Sequence, residues 1–192
     1  ILVTDGLQQY HLVDKKLPRV TNANCWAHAG RDFADAVKAM DKNDPSAVRN
    51  SVAYVALQKI GEFYNADTEL KGLSPEERLQ KRQETIQPLV EDFFAWVKEQ
   101  LSQCTVPPKS KTGQGLQYLV NQELYLKVFL TDGDVPIDNS ASERSIRTFC
   151  IGKKNWMFHN TANGASANAM VYSISETAKL NSLRPYYYFR HI

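Results

Sequence analysis

Apolar residues along most of the chain recur at steps of three and four positions, which is the period of an amphipathic helix. One such series predicts a helix from about Asn24 to Met40, and it consists of Trp26, Ala29, Phe33, Ala36, Val37 and Met40. A second helix is predicted to open at Asp44-Pro45, since aspartate caps a helix start and proline fits the first helical position. Its apolar stripe is Val48, Val52, Val55, Ile60 and Phe63.

The middle and the end of the chain continue this helical pattern. Ser74 and Glu77 have the spacing of a capping box, which predicts the start of a charged helix. Pro88 should kink or end that helix because proline lacks an amide hydrogen. The next helix, over 89–101, is predicted to bury Leu89, Phe93, Trp96, Val97 and Leu101. Further helices are predicted over about 116–130, 140–149 and 165–180.

Extended structure is predicted at only a few places. Ile1-Leu2-Val3-Thr4 is a short apolar run that ends in Asp5-Gly6, and it is typical of an internal strand of a larger protein. Short extended pieces are also expected near Pro136 and Trp156. Because so few strands cannot form a stable sheet alone, the expected fold is mainly α with a small β component, and most of any parent sheet is expected outside this chain.

Composition limits the possible classes of protein. The 192 residues, 43% of them hydrophobic, suffice for one or two domains. No stretch approaches 18 consecutive apolar residues and no export signal is visible, so a soluble protein without a membrane partner is expected. Cys25, Cys104 and Cys150 lack the spacing of a zinc site or a disulfide scaffold, which favours reduced thiols in a cytosol.

Charge is distributed unevenly along the chain. The net charge is only +2, which does not by itself indicate a nucleic-acid-binding protein. However, seven basic and three acidic residues between Asp138 and Ile192 give this stretch +4, so the remainder is slightly acidic. A basic C-terminal third is compatible with phosphate contacts, and an ordinary solvated surface would have the same composition.

Asp5 is the first candidate for chemistry. It lies where an apolar strand ends, so its carboxylate can project from a sheet edge as a metal ligand. The alternative is a plain turn, in which the aspartate bonds its own backbone and Gly6 takes a positive φ. On local sequence alone, the turn is the favoured interpretation.

Glu143 is the second candidate. It follows Asp138-Asn139 and lies close in sequence to basic residues, which suits a site that holds an anionic backbone beside a metal. These basic residues are Arg144, Arg147, Lys153 and Lys154. The alternative is structural, because Ser140 and Glu143 also have capping-box spacing. The local sequence does not decide between the two.

Two further motifs could contact nucleic acid. Cys25 and His28 are one helical turn apart, and without a second ligand pair they do not predict structural zinc. His28 could contact phosphate or orient an acidic ligand, and a half-buried structural histidine is the alternative. Lys153, Lys154 and Trp156 could bind phosphates and stack on an unpaired base. A core tryptophan beside two solvated lysines is equally consistent with that motif.

Taken together and in order, these segments resemble the insertion-sequence-66 family of bacterial transposases. The resemblance rests on five ordered blocks across almost the entire chain. They are Thr4-Asp5-Gly6 with Tyr10; Cys25-Trp26-Ala27-His28-Ala29 with Arg31 and Phe33; Asp138-Asn139 with Ala141, Glu143, Arg144 and Arg147; Gly152-Lys153-Lys154-Asn155-Trp156 with Phe158; and Tyr172-Ser173 with Glu176-Thr177-Ala178-Lys179-Leu180-Asn181 and Pro185.

The resemblance implies a DDE transposase with an RNase H-like catalytic domain, in which three acidic residues bind two divalent ions, Mg²⁺ or Mn²⁺. Asp5 would be the second aspartate and Glu143 the glutamate, and both would be catalytic metal ligands. The first aspartate would lie on an earlier strand outside this chain. His28, Arg144, Arg147, Lys153, Lys154 and Trp156 would contact nucleic acid.

The implied domain organisation has three parts. Residues 1–31 would be a partial RNase H-like core, residues 32–130 a helical insertion, and residues 131–192 the C-terminal part of that core with the Glu143 helix. The parent would cleave DNA and transfer strands in a bacterial cytoplasm, with DNA and further copies of itself as partners. The fragment is expected to be inactive without the first aspartate. The alternatives are a DNA-binding or oligomerisation module and a decayed remnant without activity.

Overall fold

A computed structural model describes residues 1–10, 17, 19–41, 43–156 and 159–192, apart from the side chains of Gln8 and of residues 153–156. Two compact units make up the chain, Ile1–Asn139 and Ser140–Ile192. Among the described helices, none combines the length and the apolar character needed to cross a lipid bilayer.

The first unit contains two short strands and a series of helices. Its strands are β1 (Leu2–Thr4) and β2 (Asn22–Asn24), and a 3₁₀ turn covers Gln8–Tyr10. Its helices are α1 (Trp26–Ala29), α2 (Arg31–Lys38), α3 (Pro45–Arg49), α4 (Val52–Glu69), α5 (Pro75–Lys81), α6 (Gln87–Ser102) and α7 (Lys111–Leu126). A π-helical turn over Arg82–Ile86 joins α5 to α6, and a 3₁₀ turn over Val128–Leu130 follows α7.

The two strands form a small parallel sheet in which Thr4 is paired with Asn24. The sequence predicted β1, but it predicted a helix from about Asn24 and no strand at 22–24. Asparagine is depleted in strands, so this strand has no local signal. The fold confirms the mainly α class with a small β component.

Two predicted helices are each divided in the structure. The helix predicted over 24–40 consists of α1 and α2, which meet at Gly30. The helix predicted from Asp44 consists of α3 and α4, because the Ser51 hydroxyl accepts a hydrogen bond from the Tyr54 amide at 3.2 Å and caps a new helix start. The Asp44 cap is confirmed by its bond from the Ala47 amide at 3.0 Å.

The predicted capping box is present at the start of α5. The Ser74 hydroxyl accepts from the Glu77 amide at 3.2 Å, and the Glu77 carboxylate accepts from the Ser74 amide at 3.0 Å. These bonds lower the pKa of Glu77. The helical path does not end at Pro88, because the π turn over Arg82–Ile86 changes the hydrogen-bond register just before it and Pro88 occupies the first turn of α6.

An aromatic cluster lies at the centre of the first unit. Trp26 is fully buried and packs edge-on against Phe63, with ring centroids 5.1 Å apart. Phe94 lies 5.9 Å and Phe93 6.0 Å from the same indole. The fully buried positions of α6 are Val90, Phe93, Phe94 and Val97. Leu89, Trp96 and Leu101, predicted to be buried, are only partly so.

The second unit is helical and largely exposed. It comprises α8 (Ser140–Trp156), α9 (Ala162–Leu180) and α10 (Pro185–His191). Phe149 of α8 packs edge-on against Tyr172 of α9, with ring centroids 5.4 Å apart. The extended piece predicted near Trp156 is wrong, because α8 continues through that residue.

Candidate catalytic site

Asp5 follows β1 directly and begins a tight turn. One oxygen of its carboxylate accepts a hydrogen bond from the Leu7 amide at 3.1 Å. Gly6 has φ +78°, a conformation that residues with a side chain rarely adopt. The turn interpretation of this motif is therefore correct locally, and a role for the same carboxylate in a site depends on what surrounds it.

A buried polar network fixes the strand end that carries Asp5. The Thr4 hydroxyl donates to the Asn22 side-chain oxygen at 3.0 Å, and the Asn22 amide group donates to Asn24 at 3.2 Å. Asn24 then donates to Gln122 of α7 at 2.9 Å. Because buried polar groups are costly unless they are hydrogen-bonded, this network defines the position of the β1 and β2 ends relative to α7.

The carboxyl ends of β1 and β2 lie at the same edge because the strands are parallel. Asp5 follows one strand, and Cys25 with helix α1 follows the other. A pocket of about 150 Å³ opens there, and its lining residues are Asp5, His28, Ala29, Arg31, Asp32, Gly115 and Tyr118. The structure thus brings together two predicted site residues of the first unit, Asp5 and His28.

Five lining residues were not among the predicted site residues, and three of them, Arg31, Asp32 and Tyr118, have polar side chains. Arg31 and Asp32 follow His28 by three and four positions, so helical spacing alone could have placed them on its face. The Asp32 carboxylate accepts a hydrogen bond from the Lys111 ammonium at 2.8 Å, which raises the pKa of Lys111. Tyr118 lies on α7, far along the chain, and no sequence signal links it to Asp5.

Tyr118 has a buried hydroxyl for which the described residues provide no hydrogen-bond partner. Burial raises the pKa of this phenol to about 12, and the Asp5 carboxylate acts in the same direction while Arg31 opposes it. The hydroxyl therefore stays protonated near neutral pH and is available as a hydrogen-bond donor.

Cys25 joins the strand edge to the segment before α8. Its fully buried sulfur accepts a hydrogen bond from the Asn139 amide at 3.5 Å, and the next amide, that of Trp26, donates to the Ile137 carbonyl at 3.2 Å. Burial raises the pKa of the Cys25 thiol, which does not favour a thiolate ligand. Cys25, Cys104 and Cys150 are all free thiols, as predicted.

The second unit presents the other predicted carboxylate. Glu143, Arg144 and Arg147 lie on one face of α8, where they line an open hollow of about 530 Å³ together with Ser140, Ile146 and Cys150. All three charged side chains are exposed. The side chains of Lys153, Lys154 and Trp156 lie outside the described part of the structure. Within that part, no group of three or more His, Cys, Asp or Glu residues is arranged to hold a metal ion.

Comparison with known protein families gives a clear match. Residues 1–167 match the sequence model of the transposase IS66 family. This chain belongs to the IS66 transposase family. The matched range contains the first four of the five blocks on which the resemblance rests, the last of them being the Gly152–Trp156 motif. It also contains the pocket residues of the first unit.

Relatives of this IS66-family chain occur in Sinorhizobium fredii, where they are called uncharacterized proteins. The protein y4hP is 30% identical over 185 residues, which is 94% of this chain and 33% of that protein. The proteins y4qI and y4jD are 29% and 28% identical, with coverage of 96% and 97% of this chain. The chain thus spans about a third of the length of the relatives it matches. No solved structure matches it.

Replacing Gly6 by alanine is expected to destabilise the first unit of this IS66-family chain by about 1–2 kcal/mol, the usual cost of a left-handed conformation for a residue with a side chain. The new methyl group would also meet the Tyr118 hydroxyl and the Asn24 side chain. Urea unfolding should show the loss. Gly72→Ala is the matched control, because Gly72 has open space around it, and an equal effect of both substitutions would refute the prediction.

Proposed function

We propose that this chain supplies two of the three carboxylates, Asp5 and Glu143, of a metal-dependent DNA strand-cleavage and strand-transfer site with an RNase H-like core. The observation that carries the proposal is the position of Asp5. Its carboxylate lies at the carboxyl edge of a parallel strand pair, in a pocket shared with His28 and Arg31. Membership of a transposase family supports the same chemistry.

The residues at the strand edge fit a hard divalent cation. Mg²⁺ and Mn²⁺ prefer oxygen ligands, and Mg²⁺ commonly uses only one or two carboxylates together with water and substrate phosphate. Asp5 offers carboxylate oxygens there, while Asp32 is held by Lys111. When bound, a pair of such ions would activate the attacking oxygen and stabilise the leaving oxygen. Asp5 would hold and orient its cation, since the polar network behind β1 fixes the strand end.

Hydrogen bonds within the first unit hold the segment that precedes Glu143 in the sequence. Asn139 and Ile137 are bonded to Cys25 and Trp26, immediately after β2. Glu143 follows Asn139 closely along the chain and lies in the first turn of α8. Residues 137–139 are therefore anchored at the strand edge beside Asp5.

Side chains with N–H donors accompany both carboxylates. His28 and Arg31 line the Asp5 pocket, and Arg144 and Arg147 share the hollow of Glu143. Arginine forms paired, charge-assisted hydrogen bonds with phosphate oxygens, so these residues would hold the DNA backbone beside the cations. We extend this role to Lys153 and Lys154, we propose that Trp156 stacks on an unpaired base, and we propose DNA and further copies of the protein as partners.

The chain alone is expected to bind Mn²⁺ weakly and to leave transposon-end DNA uncut, since we propose that the third carboxylate belongs to the part of the parent that it does not span. Titration with Mn²⁺, followed by the electron paramagnetic resonance of the free ion, measures binding. Asp5→Asn and Glu143→Gln should each weaken it by at least the roughly tenfold that loss of an outer-sphere partner costs.

Glu62→Gln is the matched control for this titration, because Glu62 is an exposed carboxylate on α4. Equal Mn²⁺ affinity of the wild-type, Asp5→Asn and Glu143→Gln chains would refute the metal site. DNA nicking by the wild-type chain that disappears in Glu143→Gln would show instead that the chain is active by itself.

A further inference from the structure

Two contacts, one on each side of Tyr118, hold helix α7 in place. One is made with α2 and the other with β2. Gly115 allows close contact, since a methyl group at this position would lie only 2.9 Å from the Phe33 ring. One turn beyond Tyr118, Gln122 accepts the hydrogen bond from Asn24 at 2.9 Å. The backbone around Tyr118 is therefore fixed relative to β2 and α2.

The hydroxyl of Tyr118 reaches the backbone next to Asp5. Of the three atoms that a side chain at Gly6 would meet first, the nearest is this hydroxyl oxygen, and the other two belong to Asn24. The hydroxyl is buried, and the described residues give it no hydrogen-bond partner. Since nearly all buried polar groups in proteins are hydrogen-bonded, an exception calls for an explanation, such as a ligand that the group binds.

The pocket shows which ligand suits this hydroxyl. A protonated phenol beside Asp5 is a poor cation ligand but a good donor to an anion. Arg31 and His28 line the same pocket and favour an anion, while the Asp5 carboxylate favours a cation. A phosphate group that lies beside a divalent ion held by Asp5 would meet all of these requirements together.

We propose that Tyr118, which belongs to the segment predicted as the helical insertion, is a substrate contact whose hydroxyl donates a hydrogen bond to a phosphate oxygen of the DNA backbone beside Asp5. This inference rests on the proposed function. It assigns to helix α7 a direct part in binding DNA.

Tyr118→Phe tests the proposal, because it removes only the hydroxyl. The probe is a single-stranded oligonucleotide of mixed sequence, and its affinity for the chain is measured by fluorescence anisotropy with and without Mn²⁺. The substitution should weaken the Mn²⁺-dependent part of the affinity by about tenfold, which corresponds to about 1.4 kcal/mol. The thermal midpoint without Mn²⁺ and DNA should stay the same or rise, since no protein hydrogen bond is lost.

Tyr54→Phe, on α4 and outside the pocket lining, is the matched control and should leave the affinity unchanged. Oligonucleotide binding by Tyr118→Phe within twofold of wild type would overturn the role of Tyr118. A lowered thermal midpoint together with unchanged Mn²⁺-dependent affinity would show a purely structural role. If Mn²⁺ does not strengthen oligonucleotide binding by the wild-type chain, or Asp5→Asn leaves this gain intact, the proposed function fails and this inference fails with it.

Discussion

Replacing Arg82 by alanine is expected to lower the free energy of unfolding of the first unit by about 3–5 kcal/mol, the usual cost of breaking a buried ion pair. The Arg82 side chain is only 2% exposed, and its Nε donates to the Asp67 carboxylate at 2.7 Å. Its Nη1 donates to the carbonyls of Phe129, Asp132 and Val135 at 2.8–3.0 Å. Alanine would leave Asp67 and three carbonyl groups without their donor.

Guanidinium unfolding followed by circular dichroism measures this loss. Lys81→Ala is the matched control, because Lys81 is the preceding residue and its bond to Glu84 is exposed to solvent, where ion pairs contribute little. Arg82→Met combined with Asp67→Leu should recover part of the stability, since it removes both charges together. A loss for Arg82→Ala no larger than that for Lys81→Ala would contradict the prediction.

Replacing Trp26 by alanine should also cost about 3–5 kcal/mol, as is usual for a large buried aromatic residue. Trp26 is fully buried and packs against Phe63, Phe93 and Phe94. Its indole N–H donates to the Leu126 carbonyl at 2.8 Å. The substitution would remove the centre of the aromatic cluster and leave that carbonyl without its donor.

Denaturant unfolding of two further variants separates these contributions. Trp26→Phe keeps most of the ring contacts and loses the hydrogen bond, so its cost should lie between those of wild type and Trp26→Ala. Trp96→Ala is the control for loss of an indole from the same unit, because Trp96 is only partly buried. If Trp26→Ala is no less stable than Trp96→Ala, the aromatic cluster is not the main source of stability.

The sequence predicted those parts of the fold that depend on local signals. The periodic apolar positions and the caps at Asp44 and Ser74 depend on neighbours along the chain, and the corresponding helix starts are where they were predicted. Strand β2 was missed because Asn22 and Asn24 are stabilised by side-chain bonds to Thr4 and Gln122, which depend on tertiary contacts.

In the candidate site, too, some residues could be predicted from the sequence, while others depend on tertiary packing. Asp5 and His28 were each predicted as site residues from blocks of the family resemblance, and both line one pocket. Tyr118 could not be predicted, because only the packing of α7 brings it to the strand edge. The proposed convergence of Asp5 with Glu143 remains a prediction for the Mn²⁺ titration.

The π turn over Arg82–Ile86 has a consequence for aligning this chain with its relatives. Such a turn closes a hydrogen-bonded ring one residue larger than that of an α turn, so it acts as a one-residue insertion within a continuous helix. A relative that lacks this residue would continue in plain α geometry, with its upstream side chains rotated by about 100° relative to those downstream. In such a relative, an arginine aligned with Arg82 would point away from the carbonyl groups that Arg82 binds in this chain. An alignment gap at the π turn therefore marks a change in structure.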